Sequence, residues 1–328
     1  MHPTFSGVLG DANEDRRPTV HVPVLLHEML EAIRPGSGGM YLDGTLGAGG
    51  YAEAILQASE PDGRLVGLDL DPFAVERARE RLQRYGDRFR AVHGGFHQAR
   101  SILGSLGITA LDGAVIDLGL SSDQLEDAER GFSFQRSGPL DMRFDPTTGE
   151  PLFEQLLNIS TKKLEEILAT YGEERYCKKL ARGIVNALAQ GKLKNTHDLA
   201  ELVTRIYGKR REKIHPATRT FQALRIAANR ELENLETALW DVPLLLKKGG
   251  RFCVISYHSL EDRAVKLSFR EKIKDMQRWS TITLRPVRPG NEEIRANPRA
   301  RSARMRALVA LQDQTAQRLP EAAARGDQ

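Results

Sequence analysis

Apolar and polar positions along the chain follow two periods in turn. Met40, Tyr41 and Leu42 form a short apolar run closed by Asp43, and a glycine-rich turn then leads to Ala52, Ile55 and Leu56 at helical spacing. The same unit recurs: Leu65 to Leu68 ends in Asp69, and Leu70-Asp71-Pro72 opens a helix carrying Ala74, Val75, Ala78 and Leu82. Asp71 stands where an N-cap belongs, with Pro72 at the first helical position. A third strand is expected near Phe89–Val92 with a helix from about His97 to Leu106, and a fourth from Leu111 to Asp117. Strands alternating with helices of 10–15 residues predict a parallel, doubly wound α/β sheet.

The alternation stops after the fourth strand. From about Glu126 to Arg219 the pattern is mainly helical: Leu164, Ile167, Leu168 and Tyr171 lie at i, i+3, i+4 and i+7 with Gly172 as a stop. Leu199, Leu202, Val203 and Ile206 repeat that spacing behind Asn195 or Thr196 as N-cap, and Phe221, Leu224, Ala228, Leu232, Leu235 and Leu239 make one long stripe leading to Pro243. Sheet character resumes at Gly249-Gly250 and runs from Arg251 to Ser256. The expectation is a Rossmann-like sheet domain, residues 19–125 and 220–311, interrupted by a mostly helical insertion, 126–219, with disordered ends at 1–18 and 312–328.

Composition narrows the class. Of the 328 residues, 40% are hydrophobic and 28% charged, ordinary for a soluble globular protein. No apolar run nears the ~20 residues that span a bilayer, and the first residues lack the apolar stretch of a signal peptide. The two cysteines, Cys177 and Cys253, are far apart and have no metal-ligand spacing, so no metal and no disulfide is expected. Charge is distributed unevenly. Between Arg175 and Arg230 stand 14 Lys and Arg against 3 Asp and Glu, whereas the rest of the chain has 34 against 41. Such an imbalance points to a polyanionic partner, with Lys209, Arg210, Arg211 and Arg219 as candidate contacts. A second basic run carries Arg285, Arg288, Arg295, Arg299, Arg301, Arg304 and Arg306. Aromatic content of 6% argues against a stacking platform for long single strands.

In an open α/β sheet ligands bind outside the carboxyl ends of the strands, and Asp43, Asp69, Asp117 and Ser256 all end strands. The turn Gly44–Gly50 before a helix is a nucleotide pocket of inward N–H groups. Asp43 would repel a pyrophosphate but accepts from an ammonium or a hydroxyl, which favours S-adenosylmethionine over a dinucleotide. Asp69, about 20 residues beyond the glycine turn, is placed for both ribose hydroxyls. Asp117 is the first candidate acceptor for a proton and His258 the second. Ser259 with Asp262 fits a capping box for the helix that follows. No Ser/His/Asp order, H-E-x-x-H or Walker lysine supports a hydrolase or NTPase.

Six ordered motifs carry a resemblance. Asp43-Gly-Thr45-Leu-Gly-Ala-Gly-Gly50, Asp117-Leu-Gly-Leu-Ser-Ser122, Gly131-Phe-Ser-Phe134 with Gly138-Pro-Leu-Asp-Met-Arg143, Tyr171-Gly-Glu-Glu-Arg175, His215-Pro-Ala-Thr-Arg-Thr-Phe-Gln-Ala223 and His258-Ser-Leu-Glu-Asp-Arg263 closely resemble the RsmH (MraW) family. These are bacterial methyltransferases of the cytosine N4 in small-subunit ribosomal RNA, and the resemblance runs from about His21 to Arg306. It implies a class I methyltransferase sheet, S-adenosylmethionine as cofactor, a cytoplasmic place of work, and an insertion that helps recognise RNA. It also implies cofactor contacts at Gly49, Gly50, Tyr51, Asp69, Phe96, Asp117 and Gln124, beside Asp43 and Gly47 from the turn itself. Tyr51 stands where the family usually has His, and Tyr257 where Phe is common. The rival readings are a methyltransferase for DNA cytosine N4 or a small molecule, a non-catalytic RNA-binding assembly factor, and an NAD-dependent dehydrogenase. The oligomeric state stays open, a homodimer included.

Overall fold

The computed structural model describes residues 23–208 and 214–314. Seven strands form one sheet: β1 (Met40–Asp43), β2 (Arg64–Asp69), β3 (Phe89–His93), β4 (Leu111–Asp117), β5 (Leu246–Ser256), β6 (Trp279–Thr281) and β7 (Arg304–Ala310), in the order β3-β2-β1-β4-β5-β7-β6. The first five run parallel, and β7 is antiparallel to both of its neighbours. Side chains alternate across a strand. Val115 of β4 and Cys253 and Ile255 of β5 therefore enter one apolar layer, while Ala114, Ile116, Phe252 and Val254 enter the other. The first layer is covered by α1 (Leu26–Ile33), α2 (Gly50–Ala58) and part of α3 (Pro72–Arg81). The second is covered by α4 (Ala99–Ser105) and by two later helices, described below.

Between β4 and β5 the chain builds a helical unit. It begins with α5 (Ser122–Glu126) and continues through α6 (Leu152–Leu157), α7 (Thr161–Gly172), α8 (Cys177–Ala189), α9 (Thr196–Tyr207) and α10 (Ala217–Asn229). A third apolar cluster, from Phe132 to Leu224, gives this unit its own core. Asn195 caps α9 by accepting from the Asp198 N–H, and α7 ends at Gly172 with Glu173 in the left-handed region.

The stripe from Phe221 to Leu239 is two helices. It breaks at Arg230 (φ 51°) into α10 and α11 (Glu231–Asp241). Phe221, Ala223 and Leu224 pack in the helical unit, whereas Leu235, Ala238 and Leu239 pack on the sheet. The packing of the unit thus extends past residue 219 to this break. No Gly or Pro marks it, and Arg225 bridges it by a bidentate pair with Glu231 at 2.7 and 3.0 Å.

After β5 come α12 (Ser259–Lys272), which completes the second layer with Val265 and Phe269, and α13 (Asn291–Ala296). The helix cap lies one residue before the expected one. His258 is the N-cap of α12 and Glu261 its reciprocal partner, not Ser259 and Asp262. Asp262 instead accepts from Arg304 and Arg306 of β7, at 2.9 and 2.8 Å. Those two arginines of the second basic run therefore share one internal carboxylate, and Arg299 donates to Ser122.

Candidate functional site

The carboxyl ends of β1, β2, β4 and β5 bring Asp43, Asp69, Asp117 and Ser256 to one rim, as the alternation of strands requires. The turn after β1 is laced to this rim. Thr45 N–H donates to Asp43 Oδ1 (3.1 Å), Gly47 N–H to Asp69 Oδ2 (2.8 Å), and Asp117 N–H to Thr45 Oγ1 (2.7 Å). Gly49, at φ 81°, precedes α2, and a Cβ there would also press on Leu82 at 3.0 Å. Gly50 lies under Pro23, and Tyr51 is buried with its phenol donating to Val24 O at 2.5 Å. The Tyr51 phenol thus ties the segment before α1 to the start of α2 and lies near Asp117.

The second rim residue, Asp69, is held by two amides, since Asp71 N–H donates to its Oδ1 at 2.8 Å. Asp71 is fully buried and caps α3 as expected. It also accepts from Arg130 at 2.6 Å and from Gln124 at 3.3 Å, so Gln124 meets the rim through Asp71. Phe96 lies against the turn, its Cβ 3.0 Å from where a Gly44 Cβ would sit. Beyond the rim a cleft of about 210 Å³ separates it from the helical unit, lined by Leu70, His97, Arg143, Phe144, Asn229 and Arg230 among others.

Charge at the rim is unusual. Asp43 is fully buried, and its Oδ2 has no hydrogen-bond partner among the described residues. Burial pushes its pKa up to about 7, aided by the nearby Asp69 carboxylate, against the pull of the Thr45 amide. Asp117 is pushed up to about 8 by burial and by Asp43, while the phenols of Tyr257 and Tyr51 draw it back. Tyr257 O–H donates to Asp117 Oδ1 at 2.9 Å. Two carboxyls on the edge of ionisation, one with a free buried oxygen, suit a cationic ligand. An ammonium beside them would supply the missing donor and make both ionise. That pair of acceptors fits the amino-acid end of S-adenosylmethionine and disfavours a pyrophosphate.

His258 does not stand free at the rim. It caps α12, with its Nε2 at 3.1 Å from Glu261 Oε1. Glu231, His258 and Glu261 lie together, but Arg225 already neutralises Glu231, and Glu261 accepts from the Tyr257 and His258 amides. His258 Nε2, though close to Glu261 Oε1, makes no aligned hydrogen bond among the described residues. The side chain that reaches Asp117 from this loop is Tyr257, which the sequence motif marked only as a change of ring.

Of the candidate polyanion contacts, Arg219 is half-buried on α10, and Lys209, Arg210 and Arg211 lie outside the described residues. The structure adds another basic surface. Lys178, Lys179 and Arg182 on α8 are exposed, as are Arg175, Lys192 and Lys194, and none makes an ion pair with a described residue.

The family model described as the MraW methylase family matches residues 18–311. The chain is 48% identical over 310 residues to the ribosomal RNA small subunit methyltransferase H of Thermomicrobium roseum, covering 90% of this chain and 95% of that one. Its counterpart in Trichlorobacter lovleyi is 46% identical over 307 residues, covering 89% and 98%. An rRNA methylase of Streptococcus thermophilus superposes with a TM-score of 0.43 at 10% identity over 89% of this chain and 99% of its own, too distant to carry an argument.

Proposed function

The chain belongs to the MraW methylase family, and from that premise we propose how its residues move a methyl group to the N4 of a cytosine in small-subunit ribosomal RNA. It is an S-adenosylmethionine-dependent methyltransferase. The comparisons lend nothing to a non-catalytic assembly factor or a DNA methyltransferase. The observation that carries the mechanism is the rim itself, where Asp43 has a buried oxygen without a hydrogen-bond partner among the described residues and Asp117 is held by a phenol.

S-adenosylmethionine supplies an electrophilic methyl on a sulfonium. Asp69 would hold its ribose hydroxyls, the N–H groups of Gly47, Gly49, Gly50 and Tyr51 and the ring of Phe96 would shape its bed, and Asp43 would take its ammonium. Gln124 acts by fixing Asp71 behind this bed. The cytosine N4 amine is a weak nucleophile because its lone pair is delocalised into the ring. Asp117 would accept a hydrogen bond from it and orient it, so that positioning and general-base help both contribute to the acceleration. The target base must leave its stack to reach the rim. The deciding experiment is mass mapping of modified cytosines in ribosomal RNA from a strain lacking this protein. An unchanged N4-methylcytosine map would overturn the reading.

Cofactor affinity should depend on pH. Below the raised pKa values Asp43 and Asp117 carry protons and cannot pair with a cation; above them they are carboxylates. Affinity for S-adenosylmethionine in a calorimetric titration should therefore rise by about tenfold from pH 6 to 8. Asp43→Asn should weaken binding and flatten that rise; a flat profile for the native protein would refute the assignment.

The α8 face is the RNA contact in this reading, its cations tracking phosphates on a cytoplasmic ribosomal substrate. Among the described residues no helix is long and apolar enough to cross a membrane. Replacing Lys178, Lys179 and Arg182 with Glu should lower RNA affinity by more than tenfold and reduce its salt slope by about two to three. Cofactor affinity should not move. An unaltered salt slope would make this face a solvated surface.

A further inference from the structure

Tyr257 sits in the loop between β5 and α12, and that loop is pinned from several sides. Glu261 Oε2 accepts from the Tyr257 amide at 2.8 Å and from the His258 amide at 3.2 Å, and Glu261 is itself buried. His258 lies at 3.1 Å from the other oxygen of Glu261, and Glu231, paired to Arg225 of α10, closes the cluster. The backbone under Tyr257 therefore has little freedom. Its ring runs along Gly119, which is at φ 100° and where a Cβ would lie 3.4 Å from Tyr257 Cδ2. A side chain at 119 would be strained by this backbone conformation, while its Cβ would sit in ordinary contact with the ring. The phenol at the end of this support reaches Asp117 Oδ1 at 2.9 Å.

We propose that Tyr257 is a positioning residue of methyl transfer, its O–H fixing the Asp117 carboxyl in the orientation that accepts from the cytosine amine. This rests on the reading of Asp117 as that acceptor. One oxygen engaged by a fixed donor leaves the other for substrate. The donor also stabilises the ionised carboxyl, the form competent to accept. The remaining groups that bear on Asp117 are Asp43 from β1, Tyr51 from α2 and Glu261 from α12, with the Cys253 thiol on β5 alongside. Asp43 and Glu261 disfavour ionisation of Asp117, and the two phenols oppose them.

Tyr257→Phe keeps the ring against Gly119 and removes only the donor, so the fold is retained. In single-turnover methylation of a ribosomal RNA fragment at saturating cofactor, the ascending limb of the pH–rate profile should move about one unit to higher pH. The rate at pH 7 should fall about tenfold, and RNA affinity should stay constant. Asp117→Asn is measured alongside. If Asp117→Asn is slow while the limb of Tyr257→Phe stays in place, Tyr257 has no such role although the reading of Asp117 stands. If Asp117→Asn turns over normally, Asp117 is not the acceptor and the proposal falls with it.

Discussion

Asp117→Asn should lower single-turnover methylation by at least a hundredfold at saturating cofactor and RNA, with folding undisturbed. The amide oxygen can still accept from Tyr257 O–H, and the backbone bond from Asp117 N–H to Thr45 Oγ1 does not involve the side chain. A neutral amide also resembles the protonated carboxyl that burial favours at this position, where the pKa is pushed up to about 8. Thermal stability should therefore hold or rise while turnover collapses. What is lost is the basic acceptor for the N4 hydrogens, and general-base contributions run to about 10²–10⁴ in rate. Near-normal turnover in a folded Asp117→Asn protein would place the acceptor elsewhere, with a main-chain carbonyl after Asp117 as the next candidate.

The second large effect is expected at Asp69. Its carboxylate serves twice: it anchors the glycine turn through Gly47 N–H and the start of α3 through Asp71 N–H, and it would take the ribose hydroxyls. Hydrogen bonds to a charged group are worth about 1.5–3 kcal/mol each. Asp69→Ala should weaken S-adenosylmethionine binding by at least tenfold, and by more if the glycine turn loosens with it. Asp69→Asn keeps an acceptor and should lose less. Calorimetric titration of both variants reads this directly, and unchanged affinity in a folded Asp69→Ala protein would remove Asp69 from the site.

The rim was legible in the sequence because its logic is local. Each of Asp43, Asp69 and Asp117 ends an apolar run before a turn, so parallel strands bring them to one edge. The N-cap Asp71 was legible for the same reason, and that of α9 to within Asn195 or Thr196, of which Asn195 is the cap. What escaped depends on partners distant in the chain. β7 alternates Arg304 and Arg306 with apolar residues and read as a basic run, because Asp262, which pairs with both, lies some forty residues earlier on α12. The break at Arg230 has no local signal, and only packing divides the stripe between two cores. α1 and β6 were not anticipated either: both are short, and α1 stands alone before the first strand although Met29, Ala32 and Ile33 share one apolar face. At the site, the hydrogen bond from Tyr257 to Asp117 joins two strand ends far apart in sequence. No spacing rule could have paired them.

The placement of the helical unit bears on the entropy of the sheet. β4 and β5 are hydrogen-bonded neighbours, with Asp117 paired to Ile255, yet the whole unit lies between them in the chain. Closing a loop of roughly 130 disordered residues is harder than closing one of about 25, and the difference is on the order of 1–2 kcal/mol. The apolar core from Phe132 to Leu224 removes much of that burden by making most of the connection a compact body. A mutation deep in that core would thus reach the rim without touching it, by lengthening the effective tether between the strand that ends in Asp117 and the strand that leads to Tyr257.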